Sequence, residues 1–201
     1  MRRIFLGLLI VLICNICFAQ ELVTVHESFD QNKFNWDESF TENGTAVLIN
    51  NMLKLKNNSD AIPISSICNL PISSDEDFTA SVVLNKPQIN EEDYVGIVFN
   101  YEDEFNYYVF LVREREACIG RYHDGKFRRI RTNPIILQKG DKNDVILQIQ
   151  RKGKNIIFSI DNMEVKKHPI DVVNNTFGVI LFGEGELSVS SVEIKRYDNN
   201  D

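Results

Sequence analysis

The chain has 201 residues and a formal net charge of −7, with 43% apolar and 25% charged residues. This length fits a single domain with a substantial hydrophobic core. The acidic balance argues against non-specific nucleic-acid binding, which needs a basic face to neutralise phosphates. We therefore expect one folded domain and no nucleic-acid partner.

The first residues have the pattern of a secretory signal. Arg2-Arg3 precede an apolar run from Ile4 to Ile13, and a small-residue end follows at Ala19. A membrane anchor would need about 20 apolar residues, and the polar residues after Ala19 come too early for that. The sequence predicts a signal peptide over 1–19 and one mature domain over 20–201. We expect a secreted, periplasmic or extracellular surface protein without a transmembrane segment after cleavage.

Cleavage changes both the charge and the cysteine count. Loss of Arg2 and Arg3 moves the formal net charge from −7 to −9. Two of the four cysteines leave with the signal, and Cys68 and Cys118 remain. In an oxidising compartment these two could form a disulfide, or they could be two buried free thiols.

The mature chain alternates apolar and polar residues with period two almost throughout, which predicts an all-β domain. Asn50-Asn51, Asp124-Gly125, Gly153 and Asp161-Asn162 interrupt this pattern and predict hairpin turns. Roughly a dozen strands are too many for one open sheet, so two packed antiparallel sheets are expected. In chain order the predicted strands are 46–49, 52–55, 78–84, 94–101, 107–113, 118–122, 127–131, 145–150, 155–160, 163–166, 177–182 and 187–194.

Several motifs in the predicted order resemble the laminin G-like branch of the concanavalin A-like lectin/glucanase superfamily. The resemblance implies a two-sheet antiparallel jelly-roll sandwich over nearly the whole mature chain. The same fold carries lectins, glycosidases and receptor modules, so function does not follow from it. The motifs are Tyr94-Val-Gly-Ile-Val-Phe-Asn-Tyr, Asn106-Tyr-Tyr-Val-Phe-Leu-Val-Arg, His123-Asp-Gly-Lys, Ile156-Ile-Phe-Ser-Ile-Asp-Asn, Phe177-Gly-Val-Ile-Leu and an opening Ser28-Phe-Asp with Trp36.

The acidic residues do not have the order of a glycosidase. Laminarinase-like enzymes of the superfamily carry Glu-x-Asp-x-x-Glu on one strand, whereas the acidic triplets at 75–77, 91–93 and 102–104 fall in predicted turns. We expect these to be solvated turn residues. A non-catalytic binding module is therefore favoured, with a glycan or a cell-surface partner. The alternative is a sugar-active hydrolase of the keto-disaccharide hydrolase or glucanase-like type. The keto-sugar hydrolases usually have one glycine after an opening Leu-Phe-(Asn/Asp) and another before a tryptophan, and the opening here, from Ser28 to Trp36, lacks both.

The segment from Arg113 to Arg131 is basic within an otherwise acidic chain. Alternation along the strand 107–113 places Tyr107 and Arg113 on one face. The residues between them at even positions, Tyr108, Phe110 and Val112, are then expected to point into the core. The basic residues are Arg113, Arg115, Arg121, Lys126, Arg128, Arg129 and Arg131.

This pattern predicts a candidate ligand site. Arg121 shares its face with Ile119, and if the two strands are neighbours, Tyr107, Arg113 and Arg121 line one groove floor. Asn100 completes the candidate ligand-binding set. An aromatic ring stacks on the C–H face of a sugar, and an arginine fork binds hydroxyl or carboxylate groups. The combination suits a carbohydrate, an acidic one included. The structural alternative is that the basic residues pair with the acidic turns as cross-strand charge ladders.

Calcium is the metal that the chain would most readily take, because turn oxygens suit it. Relatives of the resembled fold often hold a structural ion near the chain ends. Asp30, Asn32 and Asp198 are the candidate ligands. The alternative is that these are turn and terminal residues with no ion.

Overall fold

A computed structural model describes residues 21–73, 75–89, 92–135 and 144–198, so the predicted signal peptide lies outside the described residues. Within these ranges the chain forms fifteen strands and no α-helix, and no helix is long and apolar enough to cross a membrane. The strands are β1 (Glu21–Glu27), β2 (Ser39–Thr41), β3 (Gly44–Ile49), β4 (Met52–Asn57), β5 (Ile64–Asn69), β6 (Phe78–Ile89), β7 (Tyr94–Asp103), β8 (Asn106–Arg113), β9 (Glu116–His123), β10 (Lys126–Pro134), β11 (Asp144–Lys152), β12 (Asn155–Ile160), β13 (Met163–Pro169), β14 (Thr176–Phe182) and β15 (Gly185–Asp198).

The strands form two antiparallel sheets. The larger sheet has nine strands in the order β13-β12-β11-β6-β15-β4-β3-β2, with β1 also paired to β15. The smaller sheet has six strands in the order β10-β9-β8-β7-β14-β5. β4 pairs with the first part of β15, and β1 pairs with its second part. The first and last strands of the described chain are therefore neighbours in the larger sheet.

The predicted hairpins close where the turn chemistry requires. Asn50-Asn51 have φ of 52° and 55°, Asp124-Gly125 have 50° and 70°, and Asp161-Asn162 have 49° and 64°. Two consecutive residues with positive φ match the twist of antiparallel strands, and Asn, Asp and Gly tolerate that conformation best. Each turn therefore fixes the register of the two strands that it joins.

The main core lies between the two sheets. Phe110 and Val112 are fully or nearly fully buried there, and Tyr108 packs against them, as the alternation predicts. The ring of Phe158 in the larger sheet lies 5.1 Å from that of Phe110 in the smaller one. The predicted all-β, two-sheet antiparallel jelly-roll sandwich is thereby confirmed.

A buried carboxylate holds the loop that follows β1. Glu27 has no exposed surface and accepts hydrogen bonds from the amides of Phe29, at 2.8 Å, and Phe34, at 2.9 Å. These bonds hold Phe29 at a φ of 61°, a conformation that bulky residues rarely adopt. The loop thereby places the Trp36 ring in the core, edge-on to Phe29 and Phe177.

The two cysteines are free buried thiols, the second of the alternatives above. Cys68 on β5 belongs to the core between the sheets, whereas Cys118 on β9 faces the other side of the smaller sheet. The two strands are four places apart in that sheet, about 19 Å. A disulfide needs Cα atoms within about 7 Å, so this fold does not permit the bond.

The three candidate calcium ligands do not come together. Asn32 uses both amide atoms on Trp36, and Asp30 accepts a bond from Ser28. Asp198 pairs with Glu21, at the far end of the β1–β15 ladder from that loop, about 20 Å away. Within the described ranges no three His, Cys, Asp or Glu side chains form a group that could hold a metal ion.

Candidate functional site

The outer face of the six-stranded sheet carries a second apolar layer. The strands β7, β8, β9 and β14 are buried almost continuously rather than at alternate residues. An antiparallel sheet with one solvated face normally alternates apolar and polar residues. This face is therefore unusual and is a candidate surface for binding. Its buried members are Val98, Tyr107, Val109, Leu111, Cys118 and Ile180.

One row of this face is aromatic from strand to strand. Phe127 on β10 pairs with Tyr122 on β9, and Tyr122 pairs with Tyr107 on β8. The rings of Tyr107 and Tyr122 stack 4.6 Å apart, and Tyr101 on β7 lies 5.7 Å from Tyr107. The stacked rings stiffen one another, because aromatic pairs in offset geometry add about 0.5–1.5 kcal/mol beyond their buried area.

Next to this row lies a cavity of about 170 Å3. Its floor is the cross-strand pair Leu111 and Cys118. Tyr122 and Phe182 sit on strands separated by β8 and β7, yet their rings lie 6.3 Å apart with planes inclined by 11°. Both rings therefore reach over the intervening strands. The full lining is Tyr94, Leu111, Cys118, Tyr122, Phe127, Arg129 and Phe182.

A glycine makes room for one wall of the cavity. A Cβ on Gly120 would lie 2.3 Å from the ring of Phe127. Only glycine at this position lets the ring lie against the strand and pack 5.2 Å from Tyr122. Phe127 nonetheless keeps 40% of its surface exposed, so one side of the ring remains available to a ligand.

A charged rim borders the cavity. The Tyr94 hydroxyl donates to one oxygen of Glu116, which Arg129 also approaches at 3.7 Å. Arg113 lies 3.6 Å from the other oxygen, binds Glu92 at 2.6 Å and stacks over the Tyr94 ring at 4.9 Å. Glu116 thus orients both arginines, and Arg129 is half exposed at the cavity edge.

Burial shifts the titration of the aromatic hydroxyls and of the thiol. It raises the pKa of Tyr94 to about 12, helped by the hydrogen bond to Glu116. Burial also raises the pKa of Tyr107 well above the usual value and, more modestly, those of Tyr122 and Cys118. At neutral pH these groups are therefore uncharged and can act as hydrogen-bond donors or apolar surface.

The predicted groove of Tyr107, Arg113 and Arg121 does not form. Tyr107 and Arg113 do share the outer face, but Tyr107 is 7% exposed and lies under its neighbouring rings. The strands β8 and β9 are neighbours, yet their register sets Arg121 opposite Tyr108, on the core side. Its guanidinium lies 5.1 Å from the centre of the Tyr108 ring. Arg121 therefore faces away from the cavity.

Asn100 has a structural position. It is 4% exposed, has a φ of 51° and begins the irregular part of the β7–β8 pairing. Its side-chain oxygen accepts from the amides of Val173 and Asn174, and its nitrogen donates to the carbonyl of Asp171. The side chain is buried and holds the loop before β14, so it is not presented to a ligand.

Most of the acidic turns are solvated, with one exception. Glu102, Asp103 and Glu104 are exposed as expected, whereas Glu76 is 8% exposed and paired with Arg196 at 3.3 Å. Glu76 lies between strands as predicted, but the prediction that it is solvated is wrong, because Arg196 on β15 pairs with it. At the cavity, Glu116 contacts two of the lining residues, Tyr94 and Arg129.

Sequence reasoning missed most of the cavity. Tyr94, Tyr122, Phe127, Phe182 and Arg129 were not among the candidates, although Arg129 lay in the basic segment. The available signal was the continuous apolar run on β7, β8 and β14, which indicates strands buried on both faces. Strict alternation assigns only one face of each strand to buried positions, and therefore leaves out the side chains that line the cavity on the other face.

Two stacked antiparallel sheets in this strand order form a jelly-roll sandwich of the concanavalin A-like type of fold. The chain matches no protein-family model and no curated protein sequence. Its likeness to known proteins is therefore structural.

Three solved structures illustrate that likeness. A galectin-like protein of unknown function from Bacillus subtilis superposes with a TM-score of 0.60 at 8% identity, over 87% of this chain and 96% of that one. The catalytic domain of an endo-1,3-beta-glucanase (laminarinase) from Thermotoga petrophila gives 0.58 at 9% identity, over 90% and 100%. A structure from work on mucin-degrading endo-acting O-glycanases of human gut bacteria gives 0.57 at 13%, over 87% and 99%. At these identities the likeness concerns the fold alone.

Proposed function

We propose that this protein is a secreted, non-catalytic carbohydrate-binding domain that holds a sugar in the cavity on the outer face of its six-stranded sheet. The observation that carries the proposal is the cavity itself, walled by four aromatic rings and bordered by Arg129. Flat rings suit the C–H faces of sugars, and a guanidinium suits their hydroxyl or carboxylate groups. Two of the similar folds above belong to proteins described as acting on glycans, which supports a glycan as the ligand class.

The size of the cavity limits what enters it. A volume of about 170 Å3 is below the roughly 300–1,000 Å3 of pockets that enclose a drug-sized ligand. One sugar unit would occupy the cavity, and any longer chain would continue over the exposed ring of Phe127. A shallow site of this kind favours binding to a polymer over enclosure of a small molecule.

The carboxylates favour binding over hydrolysis. Glycoside hydrolysis needs two carboxyl groups about 5–9.5 Å apart across the scissile bond. Among the described residues, Glu116 contacts the cavity lining, and both its oxygens are engaged by Tyr94 and the two arginines. A hydrolase would need a second carboxyl group on the opposite side of the sugar.

A glycan array tests the proposal. The protein should retain neutral or acidic glycans. Tyr122→Ala and Phe127→Ala should each weaken binding by roughly five-fold or more, since removing an aromatic side chain on which a ligand packs costs on the order of 1 kcal/mol or more. Phe40→Ala is the matched control, because Phe40 is 76% exposed on the nine-stranded sheet. Parallel arrays with calcium and with a chelator test the metal expectation. No binding to any glycan contradicts the proposal, and release of shorter sugars favours the hydrolase.

A further inference from the structure

A second charged surface lies on the other side of strand β10, where the two sheets meet at their edges. The Asn133 side chain on β10 donates to the Val165 carbonyl on β13 at 2.7 Å, so these two edge strands are adjacent. Strand β10 is exposed over most of its length. Three arginines of the smaller sheet and a lysine of the larger sheet face this junction. We call them the basic edge: Arg121, Arg128, Arg131 and Lys166.

The arginines of the basic edge are placed side by side. Arg128 pairs directly with Arg121 across the β9–β10 ladder, and Arg131 pairs with Ile119, one position further along the same face. Like charges directly opposite each other destabilise a sheet. Stacking on Tyr108 holds Arg121 in place but does not neutralise it. A purely structural role does not explain this arrangement.

The larger sheet adds a fourth positive charge at the same level. Lys166 pairs with Phe158, whose ring lies 5.1 Å from that of Phe110. Phe110 pairs with Ile119, and Ile119 with Arg131. Lys166 and Arg131 therefore occupy corresponding rows on the facing edges of the sandwich.

No acidic side chain of the described residues forms an ion pair with the basic edge. The contrast with the cavity rim is direct, because Arg113 and Arg129 each lie within 4 Å of Glu116. Glu164 on β13 pairs with Ser159, which follows the inward Phe158 and so points to the opposite face of its sheet. The cross-strand charge ladder expected as the structural alternative is thus present at the rim and missing here.

We propose that the basic edge binds the anionic groups of an acidic polysaccharide whose sugar unit occupies the cavity. Strand β10 joins the two surfaces, since Phe127 and Arg129 face the cavity while Arg128 and Arg131 face the basic edge. An extended chain crossing β10 would meet aromatic rings first and the exposed guanidinium groups of Arg128 and Arg131 next. Arginine forks suit both sulfate and carboxylate groups. A nucleic acid would meet a chain whose formal net charge is −7.

The inference rests on the proposed function and is tested with defined polymers. Heparin supplies sulfates, polygalacturonate supplies carboxylates, dextran is the neutral comparison and duplex DNA the non-glycan polyanion. Binding is measured by calorimetry from about 50 to about 300 mM salt, a range over which the release of counterions makes the affinity for a polyanion fall. The variant is Arg128→Gln/Arg131→Gln, and the charge-matched control is Lys33→Gln/Lys54→Gln, which removes two lysines remote from β10.

At least one acidic polysaccharide should bind more tightly than dextran. The arginine variant should lose roughly ten- to hundred-fold in affinity for it, and the salt dependence should fall by about one charge per arginine. The lysine control should bind as the parent does. Binding of heparin alone would identify sulfate as the group recognised, and binding of polygalacturonate alone would identify carboxylate.

The two proposals fail in different ways. If neutral glycans bind through the cavity but neither acidic polymer is preferred, the basic edge is not a subsite and the proposed function stands. The inference is also overturned if the arginine variant and the lysine control lose the same affinity for the polysaccharide. Binding of DNA as tight as that of the best polysaccharide would overturn it as well. If no glycan of either kind binds, the proposed function itself is wrong.

Discussion

Single side chains decide how this sandwich is held, and Glu27 is the clearest case. Its carboxylate is fully buried, yet it is satisfied by two backbone amides of the loop that it starts. Buried carboxylates are rare because desolvation is costly, and hydrogen bonds to the charged form offset that cost. The loop in turn carries Phe29 and Trp36 into the core, so a polar contact controls apolar packing.

Replacing this side chain tests the point. Glu27→Ala leaves two buried amide donors without acceptors and should lower the free energy of unfolding by about 2–4 kcal/mol. Glu27→Gln keeps one acceptor and should cost less. Urea unfolding followed by Trp36 fluorescence measures both, with Glu42→Ala on an exposed turn as the control. Equal stability of the Glu27→Ala variant and the control would mean that the loop is held by packing alone.

The phenol of Tyr94 gives stability a pH dependence at the alkaline end. Its pKa is raised from 10.0 to about 12, by burial first and by Glu116 second. Between pH 10 and pH 12 the folded state therefore holds a proton that the unfolded state has lost, and stability falls as the pH rises through this window. Below pH 10 the contribution is complete.

Tyr94→Phe should reduce that alkaline loss. The urea midpoint of the variant should fall less steeply between pH 10 and pH 12 than that of the parent, although the variant starts lower at neutral pH because the bond to Glu116 is gone. Absorbance at the phenolate band should show one fewer late-titrating tyrosine. An unchanged alkaline slope would assign the effect to the other buried tyrosines.

At the scale of the element, Gly120 allows the ring of Phe127 to lie over strand β9. A Cβ here would collide with the far end of the Phe127 side chain, which can swing away. Gly120→Ala should therefore open the cavity while costing little stability. The thiol of Cys118 on the cavity floor is a reporter of that opening, because it is 1% exposed in the parent.

Iodoacetamide labelling followed by mass spectrometry measures the opening. Cys118 should react several-fold faster in Gly120→Ala than in the parent, since accessibility governs the rate for a thiol whose pKa is unchanged or lowered by exposure. Cys68 should stay unreactive in both. Gly153→Ala adds a carbon with no atom within 4 Å but strains a turn with a φ of 57°, so it controls for general loosening away from the cavity. Equal Cys118 rates in all three proteins would contradict the covering role.

The elements themselves could be predicted from the sequence, but the site could be predicted only in part. The apolar pattern located twelve of the fifteen strands, all except β1, β2 and β5. Paired Asn, Asp and Gly residues located the hairpins, because both signals depend on local chemistry. The position of Arg121 depends on the register between β8 and β9, which sets it across from Tyr108. A shift of one residue moves a side chain to the other face, and no local signal specified that register.

At the scale of the whole molecule, the two cysteines that the structure describes do not form a covalent bridge. Cys68 and Cys118 lie on opposite faces of one sheet. A disulfide closing this loop of about 50 residues would add about 4 kcal/mol, so its absence is measurable. A reductant should leave the urea midpoint unchanged. Alkylation of the unfolded, non-reduced mature chain should add the mass of two alkyl groups, one on each free thiol. A midpoint that falls in reductant would show a bridge.

The predicted signal peptide concerns the whole chain and has a direct test. Export of the full-length protein from a bacterial host should give a mature form that begins at Gln20, as Edman or mass-spectrometric sequencing of the N-terminus would show. Retention of Met1 in a membrane fraction would instead indicate an uncleaved anchor. Replacing Ala19 with a bulky residue should block processing without altering the folded domain.

The pairing of Glu21 with Asp198 brings the two ends of the described fold to neighbouring positions on one ladder, about 5 Å apart. A short glycine linker could join them, and new termini could be opened at the exposed Asn50-Asn51 turn without breaking a strand. The same geometry would let the whole sandwich be inserted into a surface loop of a carrier protein, because its entry and exit would span no more than one hairpin turn.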